Sequence, residues 1–434
     1  MEKDKWKELF SKDIIDIDKM KKLIYKEGVP NDSVIRMKVW KLLLGYYTPR
    51  KREWEEIDYN CLEQYEKYIK NIYPKYPSTL LDKTWNEIWK TTENCIDIYP
   101  IETSSFELNE IELKRIQLIE KDIIRTVIGA PINRDEPIRH DLGFRRILFI
   151  LSLTNGGVSY VQGMNNLCNV FYSLFASSSN QPDYRLVESQ TFGCMFLLID
   201  LMRNWFLSSN DNLPNGINAS MKQVDCLLQQ TDNKLYNQFT SNGIESSLYM
   251  FRWLTLLCCM EFTLFETFMY WDFFFIDLDE FVLLKVVCCS IILCLKKVLI
   301  NKDFSSTLKI LQNIPSISHS KVIKKSKKIL KTILHFKIHH YTSQFPFNAF
   351  MHIKTSSSHV NYSLNNPLIS LNNENALSPS QCKQVDTYVH LSSSPSQCTN
   401  SLLLEKKSSD LSQINRKHSI DQSKRKVIHL KTIK

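Results

Sequence analysis

The stretch PNDSVIRMKVWKLLLG, residues 30–45, contains every signal of one amphipathic helix. Residues 30–33 supply capping side chains for its N-terminus, and apolar residues follow at positions 35, 39, 42 and 43. Gly45 stands where a helix C-cap is expected. Arg36 and Trp40 are four residues apart, so they lie on one face of the predicted helix.

The same periodicity recurs through most of the chain. It predicts further helices at about residues 110–124, 138–153, from 160 onward, 190–206, 221–239, 247–259, 262–275, 279–300 and 322–338. Residues 50–106 are less regular and are expected to be helical in parts. Because no alternating strands, βαβ rhythm or internal repeat is found, the sequence predicts an all-α fold.

Charge is distributed unevenly along the 434 residues, which carry a formal net charge of +9. From residue 301 onward there are 20 Lys/Arg and 6 Asp/Glu, a net charge of +14, so the first 300 residues carry −5. Because the folded part is mildly acidic, we expect no nucleic-acid-binding core.

Composition divides the chain into three predicted parts. Residues 1–27 form an N-terminal extension, residues 28–340 one large multi-helical domain, and residues 341–434 a basic tail rich in Ser and Asn. The tail has too few apolar residues to offset the entropy of ordering it, so we predict that it is disordered.

The 12 cysteines contain no CxxC pair, and most lie in apolar runs. With no secretory signal at the charged N-terminus, they are typical of reduced core thiols in a cytoplasmic protein, and we expect no metal site. Residues 281–300 are apolar, but Lys285, Lys296 and Lys297 interrupt them. A buried helix is therefore favoured over a membrane span.

Two short segments carry the chemistry. IEKDIIRT at residues 119–126 places Arg125 where an amphipathic helix gives way to a loop, and YVQGM at 160–164 places Gln162 just after a Gly-Gly break. Arginine stabilises charge on a transferring phosphoryl group, and glutamine can orient the attacking water. Taken alone, Asp122 and Arg125 form an ordinary i,i+3 pair worth about 0.3 kcal/mol.

Six motifs in order give these segments a context. They are RMKVWKLLLG at 36–45, IEKDIIR at 119–125, YVQG at 160–163, FRWL at 251–254 followed by EF at 261–262, WD at 271–272, and LQNIP at 311–315. In this order they resemble the TBC-domain GTPase-activating proteins for Rab GTPases, across roughly residues 28–340. The resemblance implies a single TBC-like all-α domain that accelerates GTP hydrolysis by a Rab and regulates vesicle trafficking.

That resemblance implies a role for each residue of the two segments. Arg125 would be an arginine finger and Gln162 a glutamine finger, supported by Asp122, Tyr160 and Gly163, whose lack of a Cβ permits close approach. The sequence contains no GxxxxGK[ST] segment, so GTP and Mg²⁺ would belong to the partner and the chain would hold no cofactor of its own.

Six other motif residues are expected to be structural. The tryptophans are predicted to lie in the core, and the charged residues are predicted to form buried or half-buried pairs because an unpaired buried charge is costly. These residues are Arg36, Trp40, Arg252, Trp253, Trp271 and Asp272.

The sequence is also compatible with other functions and partners. Met260 and Met269-Tyr270 depart from the family pattern, as do the inserted charges at residues 133–136, which puts substrate choice in doubt. The chain could instead be an inactive scaffold that binds a GTPase or another trafficking partner. Its basic tail could contact anionic membrane, and its opening motif resembles a subgroup linked to Golgi Rabs, which would place it peripherally on endomembranes.

Overall fold

A computed structural model describes residues 2–71, 109–130, 140–155 and 157–332. The described helices are α1 (Glu2–Ser11), α2 (Ile17–Glu27), α3 (Ser33–Leu43), α4 (Trp54–Asn71), α5 (Glu110–Ile123), α6 (His140–Thr154), α7 (Met164–Ala176), α8 (Tyr184–Leu201), α9 (Arg203–Phe206), α10 (Ile217–Thr231), α11 (Asn233–Ser241), α12 (Met250–Thr255), α13 (Leu264–Phe274), α14 (Val282–Leu299), α15 (Phe304–Gln312) and α16 (His319–Thr332). These ranges contain no strand, only an isolated bridge between Ile14 and Arg50, and the predicted all-α fold is confirmed. The predicted tail, residues 341–434, and the inserted charges at 133–136 lie outside the described residues.

Local sequence explains the ends of α3. The side chain of Asp32 accepts hydrogen bonds from the backbone N–H groups of Val34 and Ile35, as an N-cap does. Gly45 follows the last turn with φ +74°, a left-handed conformation that glycine adopts without strain. The capping signals in the sequence therefore set both ends of this helix.

Three predicted helices are interrupted in the structure, the one at 190–206 by Met202 between α8 and α9 and the other two as follows. The helix predicted at 221–239 is split at Asp232, whose side chain accepts from the N–H of Leu235 and caps α11. The helix predicted at 247–259 ends at Thr255, because Leu257 and Cys258 have φ values of 46° and 56°. Apolar periodicity continues through both breaks, which is why it did not reveal them.

The motif tryptophans lie in the core as predicted. Trp40, Trp253 and Trp271 are each 0% exposed. The ring of Trp40 packs edge-on against Phe171 at 5.8 Å and lies 5.5 Å from the ring of Trp271. This aromatic cluster joins α3, α7 and α13, so the first motif is packed directly against the helix that follows the glutamine segment.

The N-terminal helices share this core. Trp6 and Leu9 of α1 and Met20 and Ile24 of α2 are at most 2% exposed and belong to the same apolar cluster as the rest of the helices. Lys327 of α16 also donates to the backbone carbonyl of Lys26 at the end of α2. Residues 2–27 are therefore part of the packed body.

The apolar run at 281–300 forms the buried helix α14, as predicted, packed against α10 and α16. The ammonium of Lys285 donates to Oε1 of Gln223 of α10 at 2.5 Å, which gives the cation that interrupts the run a hydrogen-bond acceptor. Over the described ranges no helix is both long and apolar enough to cross a membrane.

Candidate functional site

The arginine of the first segment is exposed but restrained. Asp122 lies in the last turn of α5, and its side chain is only 5% exposed, whereas that of Arg125 is 61% exposed. The guanidinium donates through Nε to the carbonyl of Lys121 at 2.9 Å and through Nη2 to Oδ1 of Asp122 at 2.7 Å. Two hydrogen bonds thus restrain the Nε and Nη2 atoms of the Arg125 guanidinium, while the side chain as a whole faces solvent.

The same carboxylate holds the glutamine segment. Oδ2 of Asp122 accepts from the hydroxyl of Tyr160 at 2.6 Å and from the backbone N–H of Gly163 at 3.1 Å. Because its other oxygen binds Arg125, one buried aspartate connects the two segments that lie some 40 positions apart. Charge-assisted bonds of this kind are stronger than neutral ones, so the connection is firm.

Tyr160 acts here as a hydrogen-bond donor. Burial raises the pKa of its phenol well above the usual value, and the neighbouring charge of Asp122 raises the pKa further. The hydroxyl therefore stays protonated at neutral pH and donates to the carboxylate.

The helix predicted to begin near Tyr160 in fact begins at Met164. Gly163 has φ +101°, which is incompatible with helical continuation, and a Cβ at this position would lie 2.9 Å from Cδ1 of Leu256. Residues 160–163 therefore form a loop that places the half-buried Gln162 immediately before the N-terminus of α7. The prediction of a helical start near Tyr160 was wrong because the apolar pattern extends back through these residues, whereas the left-handed glycine prevents the helix from starting before Met164.

Two asparagines that sequence reasoning missed hold the arginine loop on α7. Asn165 donates through Nδ2 to Oγ1 of Thr126 at 2.7 Å, and the hydroxyl of Thr126 donates to the carbonyl of Asp122 at 2.8 Å. Tyr160 also contacts Oδ1 of Asn165 at 3.3 Å. The residue directly after the arginine is thereby fixed to the glutamine segment's helix.

Asn169, one turn further along α7, clamps the loop at two more points. Its Nδ2 donates to the carbonyl of Val127 at 3.0 Å, and its Oδ1 accepts from the N–H of Gly129 at 3.1 Å. Ser173 donates to the same oxygen at 3.0 Å. The i,i+4 spacing of the asparagines at 165 and 169, on a helix that is otherwise mostly apolar, was the one available sequence signal.

Two buried ion pairs connect α6 to α5 and to α8. Arg145 of α6 donates through Nε and Nη2 to the two oxygens of Glu120, at 2.8 and 3.0 Å. The next residue, Arg146, makes the same forked contact with Glu188 of α8 at 3.0 and 2.6 Å. The Arg145–Glu120 pair restrains the rotation of α5 and hence the direction in which its end projects, and the Arg146–Glu188 pair holds α6 against α8.

The charged motif residues are paired, as the sequence predicted. Nε of Arg36 lies 3.0 Å from Oδ1 of Asp272, which also accepts from Nε1 of Trp40 at 2.8 Å. Burial raises the pKa of the Asp272 carboxyl to about 6, although Arg36 and Trp40 act to lower it. This cluster joins α3 to α13.

Arg252 connects two later motifs. It donates to both oxygens of Glu261, at 2.8 and 3.0 Å, and to the carbonyl of Gln312 at 2.8 Å. The neighbouring departure from the family pattern, Met260, is 48% exposed, whereas Tyr270 is buried at 1%. Met260 therefore alters the exposed surface of the domain, whereas Tyr270 packs in its interior.

Apolar side chains flank the arginine on the surface. Ile124 is 54% exposed and Val127 is 87% exposed, which places one on each side of Arg125 in the chain. A surface that contacts Arg125 would therefore also meet these two apolar side chains.

Comparison with known proteins agrees with this architecture. Residues 33–300 match the family described as the Rab-GTPase-TBC domain. The chain therefore belongs to the Rab-GTPase-TBC domain family. This is the family that its six sequence motifs indicate.

Among relatives, TBC1 domain family member 13 of Homo sapiens is 26% identical over 380 residues, covering 73% of this chain and 94% of the relative. TBC1 domain family member 22B of Homo sapiens is 25% identical over 329 residues, covering 72% and 57% respectively. The crystal structure of the Ypt/Rab-GAP domain of Gyp1p is similar with a TM-score of 0.59 at 20% identity, over 76% of this chain and 96% of that one. That likeness supports the fold.

Proposed function

We propose that this protein is a GTPase-activating protein for a Rab-family GTPase in its GTP form, with Arg125 and Gln162 acting in trans. The observation that carries the proposal is the shared carboxylate. Asp122 binds the guanidinium of Arg125 through one oxygen and the Tyr160–Gly163 loop through the other. A cation and an amide held on adjacent loops are what a phosphoryl-transfer site lacking both would require.

The proposed roles follow from the chemistry of each side chain. GTP and Mg²⁺ are supplied by the partner, and the guanidinium of Arg125 donates to phosphate oxygens as charge develops on them. Gln162 aligns the attacking water. An arginine supplied in trans contributes about 10³ to 10⁵ in rate in other GTPases. Asp122, Tyr160 and Gly163 touch no reacting atom in this scheme and act as positioning residues.

Single-turnover GTP hydrolysis by a panel of Rab proteins tests the proposal. The full chain is expected to accelerate one or a few of them, and Arg125→Ala is expected to lose most of the acceleration. Gln162→Ala is expected to reduce it as well, and unaltered turnover in that variant would mean that the GTPase uses its own glutamine. If no Rab is accelerated, the chain is a scaffold, and binding to GTP-loaded Rabs then becomes its function.

We also propose a cellular setting that agrees with this activity. A Rab substrate implies a role in vesicle trafficking, with the protein acting peripherally on Golgi or other endomembranes. The basic residues of the tail at 341–434 would strengthen contact with anionic lipid by about 1 kcal/mol for each residue near the surface. Flotation of the full chain with liposomes tests this role, and equal recovery with neutral and anionic lipid would contradict it.

A further inference from the structure

Helix α16 carries a concentration of positive charge that the proposed GTPase site does not use. Between residues 304 and 332 the chain has seven lysines and no aspartate or glutamate, and six of those lysines lie in α16. Its opposite face is buried against α14 and contributes Val322, Ser326, Ile329 and Leu330 to the interior. One face of α16 therefore packs in the interior, and the opposite face exposes lysine side chains to solvent.

The exposed lysines follow one another along a single line. Lys321, Lys324, Lys328 and Lys331 are all exposed, and their spacing of three, four and three residues places them on one helical face. At 1.5 Å per residue, this lysine stripe is about 15 Å long. The helix is packed in the body, so the stripe is presented by a rigid element.

In the described part of the chain, no carboxylate is paired with the lysine stripe, so none of its four lysines forms an ion pair there. Like charges at i,i+4, such as Lys324 and Lys328, destabilise a helix, and Lys321 lies near the N-terminus, where the helix dipole also disfavours a cation. The nearby carboxylate of Asp232 is already bound to Lys296 at 2.5 Å.

We propose that the lysine stripe docks the domain on an anionic lipid surface. Lysine ammonium groups are mobile point charges that suit a field of lipid headgroups. The stripe contains no arginine fork and no aromatic ring, which single-stranded nucleic acid would require for stacking. No large apolar residue of α16 is exposed, so the contact is electrostatic and without insertion.

Vesicle sedimentation of the full chain tests the proposal, with phosphatidylcholine vesicles that contain or lack phosphatidylserine. The wild type is expected to bind the anionic vesicles and to be released by salt. Substituting all four stripe lysines with glutamine is expected to weaken that binding by roughly 10² to 10³-fold, about fivefold for each lysine.

Matched variants separate the stripe from general charge. Lys67, Lys70, Lys114 and Lys222 are also exposed, and their replacement by glutamine removes the same charge from other helices. This control is expected to bind within a few fold of wild type. The proposal is overturned if the stripe variant binds like wild type, or if the exposed control loses as much.

The outcome does not depend on the proposed GTPase chemistry. The stripe variant is expected to leave Rab GTP hydrolysis in solution unchanged, because none of its four residues belongs to the site around Asp122. Vesicle binding that survives Arg125→Ala supports the stripe even where no Rab is accelerated.

Discussion

Asp122 organises the candidate site, although in the proposed scheme it touches no reacting atom. Its carboxylate is buried and accepts bonds from three groups that lie on two separate loops. Because each partner restrains the carboxylate, the exposed guanidinium of Arg125 starts from a limited set of positions. Such preorganisation lowers the entropy lost when a partner engages the arginine.

The fork of Arg125 leads to a prediction about its chemistry. Arg125→Lys keeps the charge but replaces the planar guanidinium with a point-like ammonium, which cannot make a forked contact with phosphate oxygens while Lys121 and Asp122 hold its base. We expect the variant to lose most of the acceleration in single-turnover assays while binding a GTP-loaded Rab with little change. A near-full rate would contradict the assignment of Arg125.

Asn169 gives a second prediction at this scale. Asn169→Ala removes both bonds to the loop after Arg125, at Val127 and Gly129, and a displacement of about 1 Å can cost up to roughly 10²-fold in rate. We expect the rate of GTP hydrolysis by the Rab in the presence of this variant to fall about tenfold or more, with little change in the variant's melting temperature. Asn169→Asp keeps the acceptor for Gly129 and should recover part of the rate.

An asparagine with one exposed bond provides the control. Asn218 donates to Asn212 at 2.9 Å on the surface of α10, so Asn218→Ala should leave turnover unchanged. If Asn169→Ala also retains the wild-type rate, the clamp has no influence on the arginine.

At the scale of elements, a buried ion pair joins α3 to α13. Arg36 and Asp272 are 236 residues apart in sequence, yet both are nearly inaccessible, and the Asp272 carboxylate also accepts a hydrogen bond from the indole N–H of Trp40. A buried pair of this kind contributes little net stability but is costly to break. Its role is to select one packing of the two helices.

Asp272→Asn tests that role through stability and its pH dependence. The variant leaves Arg36 buried without a counter-charge, so we expect a loss of about 3 kcal/mol or more in the free energy of unfolding. The folded pKa of Asp272 is raised to about 6 from 3.8, so its stabilising contribution is present below 3.8 and is lost as pH rises through about 6. The loss should therefore be larger at pH 5 than at pH 7.

Chemical denaturation at both pH values measures these differences. Asp279→Asn, at an exposed position, serves as the control and should change stability by less than about 0.5 kcal/mol. A loss for Asp272→Asn that does not vary between the two pH values would show that the carboxyl does not titrate there.

On the scale of the whole molecule, the described helices pack around one continuous apolar core. Helices α1 and α2 contribute Trp6, Leu9, Met20 and Ile24 to that core, although the family match begins only at residue 33. Full burial of such side chains stabilises a protein by about 1.5–3 kcal/mol each. Together they represent a large part of the 5–15 kcal/mol by which proteins are usually stable.

We therefore expect a chain that begins at residue 28 to lose cooperative thermal unfolding or to aggregate. Trp6→Ala in the full chain should cost about 3–5 kcal/mol in the free energy of unfolding. Tyr59→Ala, at a side chain that is 65% exposed, is the control and should change little. Equal melting temperatures for the shortened and the full chain would contradict a shared core.

Several features were predictable because they depend on neighbouring residues. Apolar periodicity identified the all-α class, and the capping side chain of Asp32 located the start of α3. Apolar periodicity missed the helix breaks at Asp232 and Leu257, because a capping aspartate or a left-handed residue ended the helix while the apolar pattern itself continued. Gly163 is the same case within the site, where it moved the start of α7 from the predicted position to Met164.

The sequence by itself determined the helical class, the order of the motifs and the identity of the residues proposed to act. It could do so because periodicity, caps and motif spacing are properties of short segments. Only the tertiary structure decided that Asp122 holds both Arg125 and the Tyr160 loop, and that Asn165 and Asn169 fix the residues after the arginine. Those contacts join α5 to α7, and contact between distant segments is set by the packing of the whole core.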